Sequence, residues 1–328
     1  MLPLGYLLNN QYVIDKCLGS GGFGITYLGI DKNSGEEFAI KEFFPNQFSS
    51  RGTNQIFITP NNHKDEIIYY KYLKRFRKEA EILKELTHQN IVKVKEYFEE
   101  NNSGYIVMPY IKGMDLEKYL DTRSSLEEEE ILHIINPILD GLKEVHSKGY
   151  LHRDISPDNI YMRDNSIPML IDFGSARFYM AKNSGALTAI LKIGYSPVEQ
   201  YTNNNEQDAS SDIYALSAVI YRIITGIKPI DAVARQTAMV GRKASLMINL
   251  EKEYIGKYSE KFLQAVMKGL SIEQSKRFQN IKTYRKGLNN PDTPPNPNPP
   301  KPSIQIIHII IWGLTSILMV LTIIGLVE

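Results

Sequence analysis

A single cysteine, Cys17, is all that 328 residues contain, so no intramolecular disulfide can brace the chain. That suits a reducing compartment. Cys17 lies two residues before Gly19 and is expected to be a passive buried thiol. An excess of either charge is also lacking: 38 Lys and Arg stand against 37 Asp and Glu, for a net charge of +1, with no basic block. Nucleic acid is therefore not expected as a partner. Met1 to Asn10 does not resemble a secretion signal, having neither a basic start nor a long apolar run, and none is expected. No internal repeat is evident. What is present is 43% hydrophobic content, enough for one substantial core plus an appendage.

The most informative stretch is Leu151-His152-Arg153-Asp154-Ile155-Ser156-Pro157-Asp158-Asn159, followed 13 residues after Asn159 by Asp172-Phe173-Gly174. Phosphoryl transfer needs a carboxylate to orient the attacking hydroxyl and oxygen ligands to hold Mg²⁺ on the phosphates. Asp154 offers the first; Asn159 and Asp172 offer the second. A lone His-Arg-Asp is common by chance, so the argument depends on what accompanies it.

Leu18-Gly19-Ser20-Gly21-Gly22-Phe23-Gly24-Ile25-Thr26-Tyr27 contains G-x-G-x-x-G, a weak motif that dinucleotide folds also use. A dinucleotide fold would open a helix there. Here the residues after Gly24 alternate as a strand, a turn follows at Asp31-Lys32-Asn33-Ser34-Gly35, and Glu37-Phe38-Ala39-Ile40-Lys41 reads as a second strand. A glycine loop between strands lets the backbone approach phosphates. Lys41 needs a carboxylate partner. The helix Phe76 to Leu86 offers Glu79, near the apolar face of Ile82, Leu83 and Leu86, in preference to Glu81.

In this order the motifs resemble the Hanks-type protein kinases, the bacterial Ser/Thr branch in particular, over residues 8 to 288. The resemblance implies an α+β, two-lobed fold: a small lobe with an antiparallel sheet and helix C over 8–111, and a larger helical lobe over 112–288. It implies ATP between the lobes, with Mg²⁺ (or Mn²⁺) as cofactor and protein substrates bearing Ser or Thr. Gly19, Ser20, Gly21, Gly22, Phe23 and Gly24 would cover the phosphates, and Thr26 and Ala39 would flank adenine. Lys41 would meet the α- and β-phosphates. Met108 would be the gatekeeper, with Pro109 and Ile111 facing adenine through their backbones. Asp154 would be the catalytic carboxylate, and Asn159 and Asp172 the metal ligands. Asp212 would steady the catalytic loop, and Glu199 would pair with Arg277. Arg153 would order a phosphorylated activation segment, for which Thr188 is preferred over Ser175 and Ser184. Ser124 to Leu142 reads as an amphipathic helix interrupted at Pro137.

Two departures bear on function. Kinases of this branch usually carry Lys two residues after the catalytic Asp; this chain has Ser156. Lys192 stands where a Thr is usual. Lys192 would then supply the cation that Ser156 cannot, unless it is an exposed loop lysine. Ser156 also leaves room for a pseudokinase that binds ATP or a partner and scaffolds without transfer. A small-molecule kinase fits less well, because Arg153 and the activation segment suit protein substrates.

Between Lys41 and Glu79 lies extra sequence with Phe43-Phe44-Pro45 and the alternating run Gln55 to Thr59, expected to form a strand or hairpin before helix C. It would position that helix, dock a partner, or be a plain surface insertion. Beyond the kinase region, residues 289–302 form a proline-rich linker, with seven prolines between Pro291 and Pro302. Residues 303–327 then read as a transmembrane helix: Ile304 to Val327 has no charged residue and spans about 36 Å at ~1.5 Å per residue, more than the ~30 Å bilayer core. Arg285, Lys286 and Lys301 precede it and only Glu328 follows, which puts the kinase domain on the cytoplasmic side of a single-pass membrane protein. Gly313 and Gly325 do not make a helix-pairing motif, and a homodimer stays open.

Overall fold

A computed structural model describes residues 1–52, 54–163, 167–173, 177–178, 192–201, 207–242 and 245–289. The strands β1 (Leu7–Leu8), β2 (Tyr12–Ser20), β3 (Gly24–Asp31) and β4 (Glu37–Phe43) come first. A short hairpin of β5 (Ser49–Arg51) and β6 (Ile58–Pro60) follows, then α1 (His63–Glu85), β7 (Glu96–Glu100) and β8 (Ser103–Pro109). Strands β1, β2, β3, β4, β8 and β7, in that order, make one sheet, antiparallel at every pairing. Alternation puts Ile25, Tyr27, Phe38, Ile40, Tyr105 and Val107 into one buried cluster on this sheet. Helix α1 lies against it through Tyr69, Leu73, Phe76, Ala80 and Leu83.

The larger lobe begins with β9 (Gly113–Asp115), α2 (Leu116–Asp121), α3 (Glu128–Ser147) and β10 (Tyr150–Leu151). It continues with β11 (Ile160–Arg163), β12 (Pro168–Leu170), β13 (Arg177–Phe178) and α4 (Ala209–Thr225). It ends with α5 (Ala232–Val240), α6 (Leu250–Glu253), α7 (Glu260–Gly269) and α8 (Ile281–Leu288). Its centre is α4, whose residues Ser210 to Tyr221 are all buried. A helix apolar on every face must be surrounded; here α3, α7 and α8 surround it.

Several elements differ from the sequence reading. Helix α1 starts at His63, not near Phe76. The Asn62 side chain caps it by accepting from the Lys64 and Asp65 amides, and Asp65 and Glu66 favour its first turn. Helix α3 runs through Pro137 without a break. Its buried ridge of Ile134, Ile135, Ile138, Leu139 and Leu142 holds the helix together where the ring removes one hydrogen bond. The extra hairpin exists, but Gln55 sits in its turn at φ +58°, so only Ile58 and Thr59 of the alternating run are in a strand. Cys17 is exposed, not buried, because it lies at the open end of β2. Among the described residues no helix is long and apolar enough to cross a membrane. The expected transmembrane segment and all of the linker but Asn289 lie outside the described residues, as do Thr188, Ser175, Ser184 and Gly174.

Candidate active site

Strand register decides what Lys41 can reach. On β4 it pairs with Thr26 of β3 and Ile106 of β8, and its side chain leaves the sheet toward α1 and the other lobe. Its Nζ lies 3.1 Å from Glu79 Oε1 and 2.7 Å from Asp172 Oδ1. Glu81 is on the outer face, with Arg77 and Lys78. One ammonium thus ties together the sheet, α1 and the loop after β12. Burial alone would weaken that ammonium, but the Asp172 and Glu79 carboxylates hold its pKa above the ordinary lysine value. Burial pushes Glu79 up to about 7, against the pull of Lys41.

The catalytic loop is fixed from beneath. Asp212, in the first turn of α4 and fully buried, accepts from the His152 amide at 3.0 Å and the Arg153 amide at 2.8 Å. His146 on α3 adds a contact at 2.7 Å, which sequence reasoning did not find. These bonds hold Arg153 at φ +66°, an uncommon conformation for a side chain with a Cβ. Asp172 is at φ +62°. The His152 ring lies 4.3 Å from that of the buried Phe173, and burial lowers its pKa to about 4, so it packs there as a neutral ring.

Asp154 projects from this loop. Asn159 Nδ2 donates to the Asp154 backbone carbonyl at 2.7 Å and to its carboxylate at 2.8 Å. Burial raises Asp154 to about 7, with the Lys192 charge acting the other way. Because the Asn159 amide nitrogen is committed to Asp154, its oxygen is the atom left for a cation. The Ile171 amide donates to the Asn159 backbone carbonyl at 3.0 Å, which brings Asn159 beside Asp172. Two oxygen donors suit Mg²⁺, which keeps water and phosphate as its other ligands. Among the described residues no cluster of three or more acidic, His or Cys side chains forms a closed metal cage.

The glycine loop joins β2 to β3 in the small lobe. A Cβ at Gly19, Gly21 or Gly22 would meet nothing within 4 Å, so packing within the chain does not require glycine there. A ligand approaching the backbone would. Gly24 is different, since a Cβ there would lie 2.6 Å from the Glu42 carbonyl oxygen. Phe23 at the loop tip packs on Tyr72 of α1, ring centres 5.3 Å apart, a contact not foreseen from the motif. Behind the loop, Leu28, Ala39 and Met108 stand in register across β3, β4 and β8. Pro109 pairs with Phe38, and the Tyr110 amide bonds to the Glu37 carbonyl at 3.2 Å, which leads Ile111 out of the sheet toward the second lobe. Away from the cleft, Arg277 Nη1 and Nη2 reach the Glu199 carboxylate at 2.6 and 3.1 Å.

The protein kinase domain model matches residues 12–286. The chain belongs to the protein kinase family. Among curated relatives it is 30% identical over 293 residues to serine/threonine-protein kinase D of Synechocystis, an alignment covering 86% of this chain and 52% of that one. It is 34% identical over 234 residues to serine/threonine-protein kinase PknA of Nostoc, covering 68% and 38%. It is 30% identical over 229 residues to PrkC of Bacillus subtilis, covering 70% and 32%. The chain thus spans about half or less of these kinases' own length. Among solved structures it matches the apo form of PpkA-294 with a TM-score of 0.76 and 32% identity, over 88% of this chain and 99% of that one. The kinase fold, with its antiparallel sheet and helical second lobe, is therefore shared with a solved relative.

Proposed function

We propose that the chain is an ATP-dependent protein kinase that moves the γ-phosphoryl group to Ser or Thr hydroxyls of protein substrates. The observation that carries this reading is the joining of Lys41 to both Glu79 and Asp172, at 3.1 and 2.7 Å, beside an Asp154 held by Asn159. Lys41 would bind the α- and β-phosphates, and Glu79 would hold Lys41 in place. Gly19 to Gly24 would lie over the phosphates. Thr26, Ala39 and Met108 would enclose adenine, and the Pro109 carbonyl and Ile111 amide would face its edge. Asp154 would orient the acceptor hydroxyl and take its proton as the bond to phosphorus forms. Asn159 and Asp172 would hold Mg²⁺, which when bound offsets phosphate charge.

Pro157 and Asp158 favour Ser and Thr over Tyr as acceptors. Arg153 would pair with a phosphorylated activation segment, with Thr188 as the preferred site. The names of the relatives support the Ser/Thr assignment. A pseudokinase role has no support beyond Ser156, since the four groups it would be expected to lose, Lys41, Asp154, Asn159 and Asp172, are present and brought together. Residues 303–327 would tether the domain to the membrane with the kinase on the cytoplasmic side. Incubation of the full-length protein with γ-labelled ATP, followed by acid hydrolysis, tests the reading. Label on phosphoserine or phosphothreonine is expected; label confined to phosphotyrosine would overturn the Ser/Thr assignment.

A further inference from the structure

We infer that the cation opposite the transferred phosphoryl group is carried by the activation segment, on Lys192, and is in place only while the turn at 192–195 is docked against Lys228 and Pro229. The inference rests on the kinase reading and adds a condition to it: transfer depends on the docking of a segment outside the catalytic loop.

The loop itself offers no cation where one is needed. Ser156, two residues after Asp154, is fully buried, and a hydroxyl cannot offset phosphate charge. Lys192 fills the need from 36 residues away. Its Nζ donates to Ser156 Oγ at 2.7 Å and lies 3.5 Å from the Asp158 carboxylate at the rim. The side chain is only 25% exposed, unlike an ordinary loop lysine. Charge on the equatorial oxygens of a transferring phosphoryl group is stabilised by such a fixed cation, whatever part of the chain supplies it.

The turn that carries Lys192 is closed on itself and packed on the chain after α4. The amides of Tyr195 and Ser196 both donate to the Lys192 carbonyl at 2.9 Å, which closes the backbone around it. Gly194, at φ +90°, is pressed so closely on the chain after α4 that a Cβ there would lie 2.5 Å from the Pro229 carbonyl oxygen. Lys228 adds a cation over the Tyr195 ring, 5.6 Å from its centre. A lysine on the catalytic loop would be present whenever the lobe is folded. Lys192 leaves its place if this turn lifts.

The test uses the full-length protein with Mg·ATP and a generic basic protein as acceptor, reading kcat and the KM for ATP. Lys192→Gln keeps a donor for Ser156 but removes the charge. It is expected to lower kcat about 100-fold, the size of a lost electrostatic contact to a transition state, with KM within about threefold. Lys192→Ala should behave the same. Charge restored at the same place should rescue: Lys192→Cys in a Cys17→Ser background, alkylated with 2-bromoethylamine, regains a side-chain ammonium as the thiolate displaces bromide. Recovery of at least about tenfold is expected. Gly194→Val should lower kcat in the wild type but change little in Lys192→Ala. Lys192→Gln with wild-type kcat would overturn the inference by making the contact structural, as would failure of the alkylated cysteine to recover. A wild type without transfer would instead overturn the kinase reading on which this depends.

Discussion

Asp154 shows how much one residue's setting decides. Its carboxyl is raised to about 7 from an ordinary 3.8, chiefly by burial. A carboxylate with a raised folded pKa favours folding below its unfolded pKa and loses that contribution as pH climbs to the folded value. The folded domain is thus penalised progressively from about pH 4 to 7, and fully above. Asp154→Asn escapes the penalty. It should melt higher than the wild type above about pH 7, and the gap should shrink as pH falls toward 4. Thermal melts across that range check it, and a variant less stable at every pH would contradict the burial argument. The catalytic loop was readable in the sequence because chemistry fixes both the residue types and their spacing there. His146 was not, because its meeting with Asp212 at 2.7 Å depends on how α3 crosses α4.

At the scale of elements, the hairpin β5–β6 is more than a loop laid on the surface. Glu42, next to Lys41 on β4, points away from the cleft and is fully buried. Arg51 from β5 pairs with it, while Tyr27 and Tyr105 donate to its carboxylate at 2.9 and 2.7 Å. Asn102 binds the Ile58 carbonyl at 2.8 Å, and Phe48 stacks near Tyr72 of α1 at 6.0 Å. The insertion therefore joins the strand of Lys41 to the helix of Glu79. Arg51→Met would leave Glu42 buried without its cation and should cost about 3 kcal/mol in urea melts. Adding Glu42→Gln should return part of the loss; no loss in the single variant would show that the pair is not needed. None of this pairing was legible, because Phe57 and Gln55 suggested a longer strand than the turn permits. The start of α1 was legible in principle: Asn62 followed by Asp65 and Glu66 is a helix-start signal, but the mixed charges from Lys64 to Arg75 hid the apolar face.

For the whole molecule, the two-lobed plan followed from motif order, since glycine loop, Lys41, Glu79, Asp154 and Asp172 come in the sequence that the folded lobes require. The proposed membrane tether rests on composition: 24 residues from Ile304 to Val327 carry no charge. Full-length protein expressed in bacteria should sediment with membranes and resist carbonate extraction, while a chain ending at Lys301 should be released. Equal behaviour of both would contradict the anchor. Whether the assembled cleft transfers phosphate is read from the initial rate of label transfer from ATP by the 328-residue chain beside Asp154→Asn, with Mg·ATP affinity measured on both. Transfer by the wild type is expected, with a loss of about 10²- to 10⁴-fold in the variant as for a missing general base, and closely similar ATP affinities. Tight Mg·ATP binding with no transfer by the wild type would contradict that expectation.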